Sequence, residues 1–283
     1  MPGFANIRDY AAARDEGRTR SCSFRKVPSQ ASVAGWWVDL TMASGNPVPQ
    51  YYASAPLVAA VLDGSRGIFH GFDVSPETLH LTELMLTTPT AGFVGRYMLL
   101  DYVLYYPFVD LDDLDTQVLD NTITLPRYET GAGLRAMLVA AAPTTGGGSF
   151  SFTYINQDGI EQTAPTQSFS TAAANIASII TSEQATAAGG QPFLRLASGD
   201  TGIRSIVTWT NLGASGGLGA VALVKPLTDH VIREINTPSE ITLVSMRPGA
   251  PRVVDGAYLG LIMNCAATVA AGLLVGRANF AWS

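Results

Sequence analysis

Residues that carry chemistry are scarce in this chain. Cysteine occurs twice in 283 residues, at Cys22 and Cys265, with no CxxC pair and no Cys/His spacing suited to zinc. Nothing in that spacing supports a disulfide, so two buried thiols are the expectation. Histidine occurs three times, at His70, His80 and His230, and no two stand at ligand spacing. The GxSxG match Gly213-Ala214-Ser215-Gly216-Gly217 is followed by no convincing helix, so no serine sits in a nucleophile elbow. These absences argue against an enzyme: no catalytic residue, cofactor or metal ligand is expected. Lysine appears only at Lys26 and Lys225, beside fifteen arginines. Arginine suits a cation held in an interface, although genome base composition produces the same bias. Charged residues are 14% of the chain against 47% hydrophobic, the reverse of what disorder requires. A surface so poor in charge suggests that part of it is covered by other copies or partners. The net charge of −6 gives no reason to expect nucleic-acid binding. The first residues, Met1 to Asn6, lack an apolar core, so no secretory signal is expected.

What is present is the grammar of strands. In Ser149-Phe150-Ser151-Phe152-Thr153-Tyr154 the aromatics fall on one face of a period-2 strand and the hydroxyls on the other. Leu134 to Val139 reads as a strand before it, with Thr144 to Gly148 as a Gly-rich turn and Asp158-Gly159 as a turn after it. A similar succession follows Gly202: Ile206 to Thr210, the turn Gly213 to Gly217, then Leu218 to Val224. Two similar β modules, two halves of one sandwich, or chance resemblance between hairpins would each produce this. Both glycine runs read as hairpin turns, since neither is followed by the Lys-Ser/Thr of a phosphate loop. Trp36 to Leu40 opens the strand region, and Tyr97 to Phe108 is a strand that Pro107 is expected to end. The best helix is Ser75 to Leu84, with Ser at the N-cap, Pro at N1 and an apolar stripe at Leu81, Leu84 and Met85. Gly256 to Gly276 carries no charge over 21 residues, enough to span a bilayer. Its Asn264, Thr268 and internal glycines favour instead a closing β-hairpin of buried strands, Tyr258 to Met263 and Leu273 to Trp282. The fold class expected is mainly β, sandwich-like or jelly-roll-like, with one or two short helices. Residues 1–35 would form an extended N-terminal arm with a short helix, and 36–283 the β-rich part. That part divides into two modules, 36–188 and 189–283, if Gly189-Gly190-Gln191-Pro192 is a break.

Two charge clusters stand out. Arg8, Arg14, Arg18, Arg20, Arg25 and Lys26 face only Asp9, Asp15 and Glu16, a local charge of +3. Ile7 to Glu16 fits a short helix stopped by Gly17, followed by an extended arm. The arm is either simply solvated or a tether across an acidic neighbouring subunit. It holds too few apolar residues for folding to depend on it. The partner cluster is Asp110, Asp112, Asp113 and Asp115. Four carboxylates in six residues could hold calcium, but the spacing lacks the central glycine and terminal glutamate of an EF-hand. A solvated loop, or a docking patch for a neighbour's arginines, is the expectation.

The strings GNPVPQYY, HGFDVSPETLHL, LLDYVLYYPFVDLDD, LPRYETGAGLRAMLVAAAPTTGGGSFSFTYINQDG, GDTGIRSIV, VALVKPL and PRVVDGAYL, in that order from Asn46 to Trp282, resemble a family of tailed-bacteriophage virion structural proteins. The resemblance implies a place in a particle and brings no catalytic residues. The role it suggests is a capsid decoration or cement protein in the virion, a homotrimer bridging subunits of the major capsid protein, with no nucleic-acid or membrane partner. Alternatives are the major capsid protein itself, a neck or tail component, and a host-glycan-binding protein using the aromatic loops at Tyr51-Tyr52 and Tyr105-Tyr106.

Overall fold

Alternating apolar residues organise the chain from Thr19 to Trp282. The computed structural model describes residues 4, 7–31, 33–62, 64–180, 191–244, 249–268 and 271–283. One helix, α1 (Ile7–Asp15), precedes the strands. These are β1 (Thr19–Val27), β2 (Trp37–Asp39), β3 (Ser44–Asn46), β4 (Ala60–Val61), β5 (Leu79–Thr87), β6 (Gly95–Asp110), β7 (Gln117–Val118) and β8 (Arg135–Ala140). They continue with β9 (Ser149–Asn156), β10 (Glu161–Thr163), β11 (Gln167–Ser168), β12 (Ile203–Gly213), β13 (Leu218–Ile232), β14 (Ser239–Thr242), β15 (Leu259–Cys265) and β16 (Leu274–Trp282).

Three antiparallel sheets result, and the fold is a β-sandwich in three layers. The central sheet runs β2-β15-β6-β13-β8, with β4 on β6. One outer sheet is β14-β5-β16-β1-β3, and the other is β10-β9-β12-β7 with β11 on β9. Strict alternation assigns the two faces of the central sheet to different cores. Met137, Val139, Ala222 and Val224 pack with Phe24, Leu84, Leu86 and Phe280 of the first outer sheet. Their neighbours Ala136, Leu138, Val221 and Leu223 pack with Phe150, Phe152 and Trp209 of the second. Both faces are therefore dry, which is why Leu134 to Ala140 and Leu218 to Val224 read as nearly continuous apolar runs. Each outer sheet and the central one take strands from both sides of residue 188; residues 181–190, which include Gly189 and Gly190, lie outside the described residues.

Five expectations need correction. Residues 79–87 are strand β5, not a helix. The Leu81–Leu84 spacing that looked helical comes from one β-bulge: Asn279 pairs with Glu83 and the next residue, Phe280, with Leu81. Thr82 is the extra residue, buried, with its hydroxyl donating to Asn279 O at 3.0 Å. Likewise Pro107 does not end β6, because a bulge takes up Pro107 and Phe108 between the Tyr106–Val221 and Val109–Gly219 pairs. The extended segment after α1 is no free arm. It is β1, hydrogen-bonded between β16 and β3, because Phe24 and Lys26 alternate inward while Ser23 and Arg25 face out. The two C-terminal strands are where the sequence puts them, but β15 joins the central sheet and β16 the outer one, so they close the sandwich without forming a hairpin. Trp282 packs beside the core as expected. Among the described residues no helix is long and apolar enough to cross a membrane.

The fifth correction concerns the two glycine runs, which are corners rather than hairpin turns. Strand β8 pairs with β13 in the central sheet, and β9 pairs with β12 in the outer sheet. Between these ladders Thr145 N–H donates to Ser215 O at 2.7 Å. The two similar segments thus run antiparallel as one ribbon that bends from sheet to sheet. Gly148 (φ +82°) and Gly217 (φ +77°) sit at the bend, where a Cβ would collide with the carbonyls of Gly213 and Pro143. The repeat seen in the sequence is the requirement that both strands of a ribbon bend at one place.

Candidate assembly surface

The six N-terminal cations do not form one surface. Arg8 and Arg14 are exposed on α1, and Arg14 lies 3.9 Å from Asp15. Arg18 pairs with Glu16 at 2.7 Å and reaches Trp282 O at 3.5 Å. Arg20 donates to the carbonyls of His70 (2.9 Å) and Phe72 (3.3 Å) and lies over the Trp282 ring. Arg25 is exposed on β1. Lys26 is buried, its ammonium donating to Pro47 O (2.9 Å), Ala43 O (3.2 Å) and Thr41 O (3.4 Å). Burial pushes the Lys26 ammonium down to about 8, partly opposed by the charge of Asp39. Three of the six therefore fasten their own chain.

The acidic segment lies on another layer, at the end of β6 beside β12. Three of its four carboxylates are occupied by backbone. Asp110 Oδ1 accepts from Asp112 N–H and Asp113 Oδ1 from Asp115 N–H, each at 2.9 Å, and Asp112 Oδ1 accepts from Gly216 N–H at 3.0 Å. Asn211 donates to the carbonyls of Asp110 and Asp113 at 2.8 and 2.6 Å. The segment is a chain of Asx turns clipped to the glycine corner. The structure does not bring it near the N-terminal cations.

The three histidines are each held by one backbone carbonyl: His70 by Ala257, His80 by Ala250 and His230 by Ser239. Burial lowers all three from their ordinary value. His80 stands on β5, not on a helix. The cores hold two buried acids that the sequence reading passed over. Asp39 accepts from Tyr52 and from Tyr102 (2.9 Å), together with Thr41 N–H at 2.8 Å. Asp101 takes a forked pair from Arg127 at 2.5 and 2.8 Å and also accepts Tyr258 N–H at 3.0 Å. Of the tyrosines expected on aromatic loops, Tyr52, Tyr105 and Tyr106 are buried and only Tyr51 is exposed.

The feature best suited to assembly is the outer face of the β10-β9-β12-β7 sheet. Its inner face is fixed by aromatics: Phe150 stacks on Trp209 at 4.4 Å, and Phe152 lies parallel to the same ring at 5.8 Å. Alternation then leaves Ser151, Thr153, Thr208 and Thr210 facing outward. Thr153 and Thr208 hydroxyls meet at 2.8 Å, and those of Thr116 and Thr210 at 2.9 Å. Large apolar side chains lie exposed beside this ladder: Val118 at 70%, Leu114 at 58% and Leu212 at 56%. No charged residue occurs in β7, in β9, or in β12 from Ile206 to Gly213; the outer face carries a charge at Glu161, on the edge strand β10. The edge strands β7 and β10 are two and three residues long. The sequence carried this signal in Thr208-Trp209-Thr210-Asn211-Leu212, whose polar members show nothing unusual until the sheet lines them up.

No family model matches the chain, and no curated protein matches it. Among solved structures, the chain is similar to the VP2 subviral particle of infectious bursal disease virus, at 10% identity and a TM-score of 0.20, covering 94% of this chain and 80% of that one. The structure of the Gt strain of the same virus gives 8% identity and a TM-score of 0.19, covering 93% and 80%. Scores at this level do not amount to a shared fold.

Proposed function

We propose that this chain is a structural component of a bacteriophage virion: a capsid decoration or cement protein that stabilises the head by bridging major capsid subunits, as a homotrimer. The observation that carries the reading is the charge-free hydroxyl ladder with exposed Val118, Leu114 and Leu212 beside it. A β surface whose central strands carry no charge is a poor solvent face and a good contact face, because covering those strands desolvates no ion. The fold behind it suits a passive load-bearing role, with a central sheet dry on both sides. The sequence resemblance to tailed-phage virion proteins points the same way. The polar turns at Asp110 to Asp115 supply a rim to this patch, and Arg8, Arg14 and Arg25, all exposed, lie on another face where an acidic neighbour would meet them.

The test is self-association. Light scattering on the purified chain should give a trimer. Val118→Glu and Thr210→Lys should shift it toward monomer and abolish sedimentation with particles, leaving the melting temperature within a degree or two, since both side chains face outward. A wild-type chain that stays monomeric at high concentration, or variants that assemble normally, would contradict the reading.

A further inference from the structure

A second surface feature has no part in that assembly face. The loop after β3 and the loop after β4 enclose an open cleft of about 480 Å³ beside β6, lined by Gln50, Tyr51, Ser65, Arg66, Tyr105 and Tyr258 among others. That volume suits a small ligand. Three observations mark it as more than a dent. Arg66 is exposed, and no acidic side chain among the described residues pairs with it. The Tyr258 side chain is 1% exposed, and its hydroxyl has no hydrogen-bond partner among the described residues, an expensive omission for a buried polar group. Tyr51, at the rim, leaves 57% of its surface exposed. The neighbouring buried hydroxyls of Tyr52 and Tyr102 are already committed to Asp39, so Tyr258 is the one left over. Arg66 lines the same cleft as Tyr105 and Tyr258 and acts electrostatically on both hydroxyls.

We infer that this cleft binds an acidic sugar, a hexuronate unit of a surface polysaccharide. The Arg66 guanidinium fits one carboxylate in the forked geometry that arginine favours. The Gln50 amide offers a donor and an acceptor to ring hydroxyls, the Tyr105 hydroxyl, which donates to Ala53 O at 3.5 Å, can accept, and Tyr258 supplies the floor hydroxyl that a seated ligand would satisfy. The exposed face of Tyr51 is a platform for the apolar side of a pyranose. A neutral sugar leaves the arginine unanswered, and a simple anion leaves the aromatic wall and the floor unused. The inference stands independently of the virion reading, since a shell protein and a soluble one would hold the cleft alike.

Titration of the full-length chain with methyl galacturonate, followed by calorimetry and by saturation-transfer NMR, tests it. Saturable binding with Kd on the order of millimolar is expected for one sugar unit, with the corresponding galactoside at least tenfold weaker. Arg66→Gln should weaken the uronate about tenfold without moving the melting temperature, because the side chain is exposed. Tyr258→Phe should also weaken it while leaving the fold intact, since the lost hydroxyl has no hydrogen-bond partner among the described residues. Absence of saturable uronate binding, equal affinity for galactoside and uronate, or an Arg66→Gln protein that binds as well as wild type would each overturn the inference. Acetate competing as well as the sugar would likewise overturn it, reducing the cleft to an anion site.

Discussion

Lys26 shows how far side-chain placement can depart from charge counting. The sequence sets it among six cations of an arm; the fold buries it under three carbonyls. Its folded pKa, lowered from 10.5 to about 8, has a definite consequence for pH dependence. Between about pH 8 and 10.5 the unfolded chain holds a proton that the native chain has released, so this residue's contribution to stability rises with pH across that window. Below about pH 8 both states are protonated and the cost of burying the cation is present in full. Lys26→Met removes the titration. Denaturant unfolding of both proteins from pH 7 to 10.5 should show the wild type gaining on the variant by up to about 3 kcal/mol. A constant difference between them would show that Lys26 titrates normally. Legibility at this scale was uneven. The aromatics Phe150, Phe152 and Tyr154 fell on the face that alternation assigned them. Asp39, Asp101 and Arg127 were invisible, because a buried ion is recognised by partners drawn from distant strands.

At the scale of elements, strands were legible and their pairings were not. Alternation located β8, β9, β12, β13, β15 and β16, but it is silent on which sheet a strand enters. Glycine runs between strands therefore passed for hairpin turns when they are corners. The helix expected at Ser75 to Leu84 failed for a related reason: a single bulged residue, Thr82, converts a period of two into a spacing of three. A prediction belongs to β1. Removing residues 1–16 deletes α1, whose contacts are peripheral, and should leave cooperative melting. Removing residues 1–27 also takes β1, exposes the edge of β16 and uncovers the Phe24 site. That truncation should yield aggregated protein. Monodisperse, cooperatively melting protein from the longer truncation would return this segment to the status of a dispensable arm.

The molecule as a whole is organised by its central sheet. With most of both faces covered, it exposes little beyond the cleft at Tyr105, and broad contact surfaces come from the outer layers. One outer layer presents charged and looped edges; the other presents the hydroxyl ladder. The sequence conveyed the mainly β class and the shortage of surface charge. Three layers, and the location of the hydroxyl ladder, follow from pairings between strands tens to hundreds of residues apart that no local pattern encodes. The most direct measurement of the central claim is the copy number of this chain per purified particle, by quantitative mass spectrometry against the major capsid protein. A decoration protein present as trimers across a shell should be found at on the order of hundreds of copies, in a fixed ratio to the capsid subunit. Roughly a dozen copies or fewer, or none in purified particles, would contradict it.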